Sequence, residues 1–319
     1  MPKSRGAAPI ALIVHGGAGA HGPDSEKAAR KRAMMTAVKA GASILRAGGS
    51  ALDAVMASVV ILEDHPLFNA GYGSTLNADG AVEMDASVML ATSTAAKAGS
   101  VAAITRVKNP VRLARAVLEH TPHVMMTGGG AESLALQWGI DLCNPDDLIT
   151  PRARERFRAR TQPQKDFFGA HGTVGAAALD IHGTLAAATS TGGVPGKMAG
   201  RVGDSAIIGA GTFASSLAAA SATGHGEAII MASLCRETIE AIGKSDLMRI
   251  ARRQIADLIA PQGFEAGIIL IDRRGRIGYA HNADTMEVGI FQAGALRHEW
   301  TAPNDLGSEG LKARVARDK

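Results

Sequence analysis

The chain has 319 residues, of which 46% are hydrophobic, 20% charged and 3% aromatic, a balance that supports a sizeable core in one large domain or two smaller ones. Its 38 glycines follow no three-residue period, which excludes collagen-like and low-complexity readings. The net charge is +4, yet residues 152–165 alone hold five arginines and one lysine against Glu155, so the basic character is local and no nucleic-acid surface is expected.

Before His15 the apolar run is five residues long, too short for a signal-peptide core or a membrane span, and a cytoplasmic protein is expected. Cys143 and Cys235 stand far apart outside any CxxC pattern and read as buried small apolar residues. Residues 10–14 form a short buried-type strand running into the loop HGGAGAHG. A helix is predicted over 25–47, with Ser25 as N-cap and Gly48 and Gly49 as its stop, and a second, very apolar one over 51–63, closed before His65 and Pro66. Residues 77–80 then separate two strand-like runs.

Helices are predicted at 111–119 and 131–138. Residues 151–168 follow as an exposed basic tether, with charges at alternate positions, two prolines and little to bury. After the tether, 173–179 and 184–190 form a hairpin turning at 180–183. Helices at 226–242 and 246–260 and a second hairpin over 266–281, turning at 272–275, complete the pattern. Hairpins grouped with hairpins and helices with helices predict antiparallel sheets covered by helices, not alternating βαβ units.

Gly17, Gly19 and Gly22 spell GxGxxG between a strand and a helix. A dinucleotide site also needs a second parallel strand ending in an acidic residue roughly 20 residues further on, and a helical pattern stands there instead. The glycines are expected to make a tight turn near a sheet, with dinucleotide binding as the rival from a different class. His120 and His123 flank Pro122 and read as surface residues; no HExxH or His-carboxylate cluster has ligand spacing.

Thr173 follows a His-Gly pair at the head of a strand-like run, more than halfway along the chain. A threonine hydroxyl is a poor nucleophile without a base beside it, and its own α-amine can serve once the Gly172–Thr173 bond is cut. That amine has a reference pKa of about 8, so it accepts a proton near neutrality. An internal threonine of this kind would make the chain a precursor. Thr191, in TSTGG, falls at the far end of the partner strand. Arg201 and Asp204, in GRVGDS, suit the α-carboxylate and α-amine of a small amino acid. In TGHGE, Thr223, Gly224 and Gly226 open a predicted helix, where a hydroxyl and N–H groups can face developing negative charge.

Together the strings HGGAG at 15–19, NAGYGS at 69–74, GTVGA at 172–176, TSTGG at 189–193, GRVGDS at 200–205 and TGHGE at 223–227 resemble one family. It is the isoaspartyl peptidase/L-asparaginase family, the plant-type asparaginases among the N-terminal-nucleophile hydrolases, and the resemblance runs from His15 to about His281. It implies an α+β fold, a four-layer αββα sandwich forming a single domain over 1–319. That domain would cleave itself into an α subunit, 1–172, and a β subunit, 173–319, and assemble as an (αβ)2 dimer of heterodimers.

The implied substrates are L-asparagine and β-aspartyl dipeptides, with no cofactor for catalysis and no nucleic-acid or membrane partner. By the same resemblance Thr173 would be the nucleophile, tuned by Thr191. Thr223 and the Gly224 N–H would form the oxyanion hole. Arg201, Asp204 and Gly226 would hold the substrate, and Asn69 would order the α-subunit side of the site. A structural sodium ion would sit on the backbone carbonyls of Leu62, Glu63, His65, Phe68, Ala70 and Tyr72. Ala199 and Ala206 stand where the family often has proline, and Gly196 where asparagine is common, changes that bear on substrate preference and leave the threonines intact. An aspartylglucosaminidase-like amidase is the rival within the superfamily.

Overall fold

The structure is a computed structural model that describes residues 9–19, 24–159, 172–243 and 245–302. Its first half runs β1 (Ala11–Gly19), α1 (Asp24–Arg46), α2 (Ala51–Glu63), β2 (Met84–Ala91), β3 (Ala96–Ile104), α3 (Pro110–His120), β4 (Met125–Thr127), α4 (Gly128–Ala135) and α5 (Pro151–Ala159). The second runs β5 (Val174–Leu179), β6 (Leu185–Thr191), β7 (Thr212–Ala214), β8 (Ala218–Gly224), α6 (Gly226–Ala232), α7 (Leu234–Glu240), α8 (Leu247–Gln254), β9 (Ala266–Asp272), β10 (Ile277–His281), β11 (Thr285–Gln292) and β12 (Ala295–Thr301). Eight strands form one sheet in the order β12-β11-β1-β5-β6-β2-β3-β4, and four form another, β10-β9-β8-β7. Neighbouring strands are antiparallel, as expected, except for the short parallel pair β3–β4.

Side chains alternate across a strand, and here both faces are covered. On β1, Leu12 and Val14 join an apolar cluster with α1, α2 and α3, while Ala11 and Ile13 face residues of the four-stranded sheet. On β5, Val174, Ala176 and Ala178 go to the helical side and Ala177 and Leu179 to the other sheet. In the smaller sheet Ala218, Ala220, Ala222, Ile268 and Leu270 pack with α6, α7 and α8, while Ala219, Ile269 and Ile271 face the large sheet. Strands buried on both faces lack the in-out alternation of a half-exposed strand: β8 reads as a run of small residues, β11 buries Glu287 among apolar residues, and neither was predicted.

The expected hairpin forms over β5 and β6, with Val174 opposite Ser190 and Leu179 opposite Leu185. Asp180 makes its turn: the buried carboxylate accepts the N–H groups of His182 and Thr184 and also that of Ala51, the first residue of α2. One side chain therefore closes a hairpin and caps a helix 129 residues away in sequence. Three N–H groups lose their partner in Asp180→Ala, and a loss of about 2–3 kcal/mol in urea unfolding is expected.

Other expectations need correction. Helix α1 begins at Asp24, so Ser25 lies inside the first turn. The helix predicted over 226–242 is two, because Ser233 between α6 and α7 takes a left-handed φ of +47°. The one predicted over 246–260 starts with Asp246 accepting the Arg249 N–H and changes to a π turn at Ile255. The first run before residues 77–80 is only a bridge, Leu76 to Val82, closed by the Asn77 carboxamide oxygen accepting from Asp79 and Ala81.

The basic tether starts as a helix: α5 covers 151–159, Ala153 is buried, and Arg152 pairs with Glu26 at 2.9 Å. Alternate charges concealed its helical face, and the rest of the predicted tether, 160–168, lies outside the described residues. Cys235 is buried, as expected, but Cys143 is half-buried. Gly17 and Gly19 belong to β1, whose neighbours β11 and β5 are both antiparallel. No parallel strand adjoins that glycine run, so it does not open a dinucleotide-type βαβ unit; Gly22 lies outside the described residues. Among the described residues no helix is long and apolar enough to cross a membrane.

Candidate active site

The ends of β5 and β6 meet at one rim of the inter-sheet space. Thr173 stands just before β5 and Thr191 closes β6, and the Thr173 hydroxyl donates to that of Thr191 at 3.0 Å. Thr191 Oγ1 also accepts the Gly193 N–H at 3.0 Å, which fixes it from the far side. Thr223, at the end of β8 in the other sheet, is fully buried one residue behind Gly224. Its hydroxyl accepts the Ala18 N–H at 3.4 Å. A bulge in β1 between His15 and Ala18, with Gly17 at φ +105°, turns that N–H toward Thr223. The HGGAG string thus serves a bulge beside the threonines.

His15 is buried beneath Thr173, with Nε2 2.9 Å from Ser221 Oγ. Burial pulls its pKa down to about 3, with the Thr173 backbone opposing, so the imidazole is neutral. Gly175 leaves room for this pair, because a Cβ there would fall 2.5 Å from His15 Nε2.

Arg201, Asp204, Gly224 and Gly226 close the other side of a small cavity, about 10 Å³, that Thr173, Thr191, Gly193 and Val194 also line. Arg201 is held by Glu227, with Nε 2.9 Å and Nη2 2.8 Å from Oε1. Glu227 went unnoticed in the sequence, where it read as part of the TGHGE helix start; its signal is a carboxylate in the first turn of α6. Beside it His225 stacks on Phe264 at 3.9 Å. Asp204 Oδ2 is buried without a hydrogen-bond partner among the described residues. Burial raises the Asp204 pKa to about 7 against the pull of Arg201. Gly226 is sterically required, since a Cβ would fall 2.6 Å from Arg201 Nη2 and 2.9 Å from Asp204 Oδ1.

Asn69 does not line the cavity but ties its edges together. Its side-chain amide donates to the Gly193 carbonyl at 2.6 Å and its carboxamide oxygen accepts from Thr75 at 2.8 Å. Its backbone N–H donates to the Gly172 carbonyl at 3.2 Å. The segment before it turns tightly. A Cβ on Gly71 would fall 2.5 Å from the Glu63 carbonyl oxygen, and one on Gly73 3.0 Å from that of His65 and closer still to that of Phe68. The Leu62 and Ala70 carbonyls accept turn N–H groups from His65 and Gly73, and Tyr72 is half-buried in the same turn. The Glu63 carboxyl, pushed up to about 8 by burial, accepts from Val111 and takes no part in this carbonyl cluster.

Two hydroxyls in contact thus share a small cavity with a carboxylate and a guanidinium. The profile of the asparaginase family matches residues 8–299. The chain is 44% identical over 273 residues to an isoaspartyl peptidase/L-asparaginase of Rattus norvegicus, covering 83% of this chain and 81% of the relative. It is 40% identical over 318 residues to an isoaspartyl peptidase of Escherichia coli (strain K12), covering 94% and 95%, and 38% identical to that of Salmonella typhimurium, covering 94% and 97%. The chain belongs to the asparaginase family.

Proposed function

We propose that the chain cuts itself between Gly172 and Thr173 and then hydrolyses the side-chain amide of L-asparagine and of β-aspartyl dipeptides, releasing L-aspartate. The observation that carries this reading is the 3.0 Å contact between the Thr173 and Thr191 hydroxyls in the cavity shared with Arg201 and Asp204. Three apolar clusters, helix to sheet, sheet to sheet and sheet to helix, support a four-layer αββα sandwich of the N-terminal-nucleophile type.

In self-cleavage the Thr173 hydroxyl attacks the Gly172 carbonyl carbon. The Asn69 N–H already points at the oxygen that becomes negative. The C–N bond breaks to give an ester on Thr173 and a free α-amine, and water hydrolyses the ester to a Gly172 carboxylate. The amine then takes the proton of its own hydroxyl as that oxygen attacks the substrate's side-chain carbonyl.

Thr223 and the Gly224 N–H stabilise the oxyanion, and Thr191 hydrogen-bonds the nucleophile. Arg201 receives the α-carboxylate and Asp204 the α-ammonium, which Gly226 lets approach closely. Ammonia or an amino acid leaves with the proton, and water releases aspartate from the ester. One oxyanion donor is worth about 3 kcal/mol, so Thr223→Ala should lower kcat roughly a hundredfold with little change in KM.

The carbonyls of Leu62, Glu63, His65, Phe68, Ala70 and Tyr72 would hold a sodium ion; the neutral oxygens of Glu63 beside Gly71 and of His65 and Phe68 beside Gly73 are of the kind a hard cation takes, and the ion would brace the turn leading to Asn69. The processed enzyme is read as an (αβ)2 assembly. End sequencing of the purified protein tests the whole reading: a fragment beginning Thr-Val-Gly-Ala is expected, and a single uncut chain with full activity contradicts it. Assay of glycosylated asparagine beside β-aspartyl dipeptides separates this function from that of an aspartylglucosaminidase.

A further inference from the structure

Asp85 and Lys197 are buried charges that the mechanism above leaves unused. Asp85 lies on β2 directly across the ladder from Thr191. Its two oxygens are divided between two N–H groups. Oδ2 accepts from Gly203, the residue before Asp204, at 2.9 Å. Oδ1 accepts from Ala103 at 3.0 Å. Ala103 is held at φ +53°, a left-handed conformation unfavourable for a residue with a Cβ, beside the bulge between β2 and β3. The strain is met where the N–H reaches Asp85.

Lys197 grips the other end of the same loop. Its ammonium donates to the Glu83 carbonyl at 2.8 Å. Its stem runs under Gly193, where a Cβ would fall 2.8 Å from Lys197 Cδ and 2.9 Å from Nζ. Burial lowers the pKa of Lys197 and raises that of Asp85, and each charge opposes the shift of the other. Loop 193–204 carries the cavity wall at Gly193 and Val194 at one end and Arg201 and Asp204 at the other. Both ends are thus tied to the sheet that carries Thr173 and Thr191.

We propose that Asp85 and Lys197 are a buried positioning pair that sets the distance between the Thr173–Thr191 hydroxyls and the Arg201–Asp204 clamp, and so measures the side-chain length of the substrate. The spacing selects an aspartyl side chain, with one methylene between its α-carbon and the reacting carbonyl, over a glutamyl one with two. One methylene in a fitted pocket discriminates by about 10–200-fold.

The inference rests on the proposed amidohydrolase function, and the test separates the two. Wild type, Asp85→Asn, Lys197→Met and the double variant, each in its processed form, are compared on L-asparagine and L-glutamine, with thermal melting alongside. An amide supplies one acceptor oxygen where the carboxylate supplies two, so Asp85→Asn frees either Gly203 or Ala103. Each single variant should raise KM for L-asparagine about tenfold, change kcat less, and narrow the asparagine-to-glutamine ratio by about tenfold.

The double variant removes both buried charges, so its melting temperature should recover toward wild type while the narrowed ratio remains. A ratio that recovers with stability, or one unchanged in all three variants, overturns the positioning role. Wild type that releases no aspartate from L-asparagine overturns the functional reading instead, and this inference with it.

Discussion

Thr173→Ala is expected to remain a single 32.8 kDa chain and to lose turnover of L-asparagine by at least about 10⁴-fold. One oxygen is asked to do two jobs. It attacks the Gly172 carbonyl in the precursor and the substrate amide in the processed enzyme, so its removal stops both. Wild type should run as two fragments, 1–172 and 173–319, on a denaturing gel. Thr173→Ser keeps the hydroxyl and should show both reactions at reduced rates, which distinguishes lost chemistry from lost folding. Intact-mass measurement and aspartate release are the readouts. Cleavage or turnover surviving in Thr173→Ala would refute the assignment.

Asp204→Asn should cost a factor of about 10²–10³ in kcat/KM, because it leaves the substrate ammonium in a buried site without its counter-charge. It should also alter the pH profile. With its pKa raised to about 7, Asp204 is protonated in the free enzyme below that value and cannot receive an ammonium. Wild-type kcat/KM should therefore climb as pH rises through 7, and Asp204→Asn should lack that limb while keeping the one from the Thr173 amine.

The stability consequence has the opposite direction. The folded state holds this proton more tightly than the unfolded chain, whose carboxyl has its ordinary value of 3.8. Its contribution to stability is full below about 3.8 and is lost as pH rises through 7. Without substrate, Asp204→Asn should melt above wild type at pH 8 and the difference should shrink at pH 5. Equal melting temperatures at pH 8 would argue that Asp204 is solvated and ordinary.

The contacts around Arg201 explain why its neighbourhood was only half legible. Its proximity to Asp204 in sequence and the small-residue surroundings suggested a clamp, and the cavity brings both to one wall. Its true ion-pair partner, Glu227, comes from the start of another element, and nothing local marks that pairing. Asp85 and Lys197 are 112 positions apart by their numbers and read as unremarkable charges until the sheet places one across from Thr191 and the other under Gly193. The basic segment misled for a different reason: alternate charges mimic a solvated tether, while α5 buries Ala153 and pairs Arg152 with Glu26.

Local chemistry determined the parts that the sequence settled by itself. The β5–β6 hairpin follows from two apolar runs around a turn that Asp180 closes, and that register alone puts the two threonine hydroxyls together. Helix α2 ends where His65 and Pro66 said it would, because the residue before a proline is pushed out of the helical region. Only the tertiary structure decided how Thr223 and Ala18, 205 residues apart, come within reach, and how β8 and β11 form at all. Those strands are buried on both faces, so neither shows the two-residue alternation of a half-exposed strand, and which strand pairs with which is set by the packing of the two sheets.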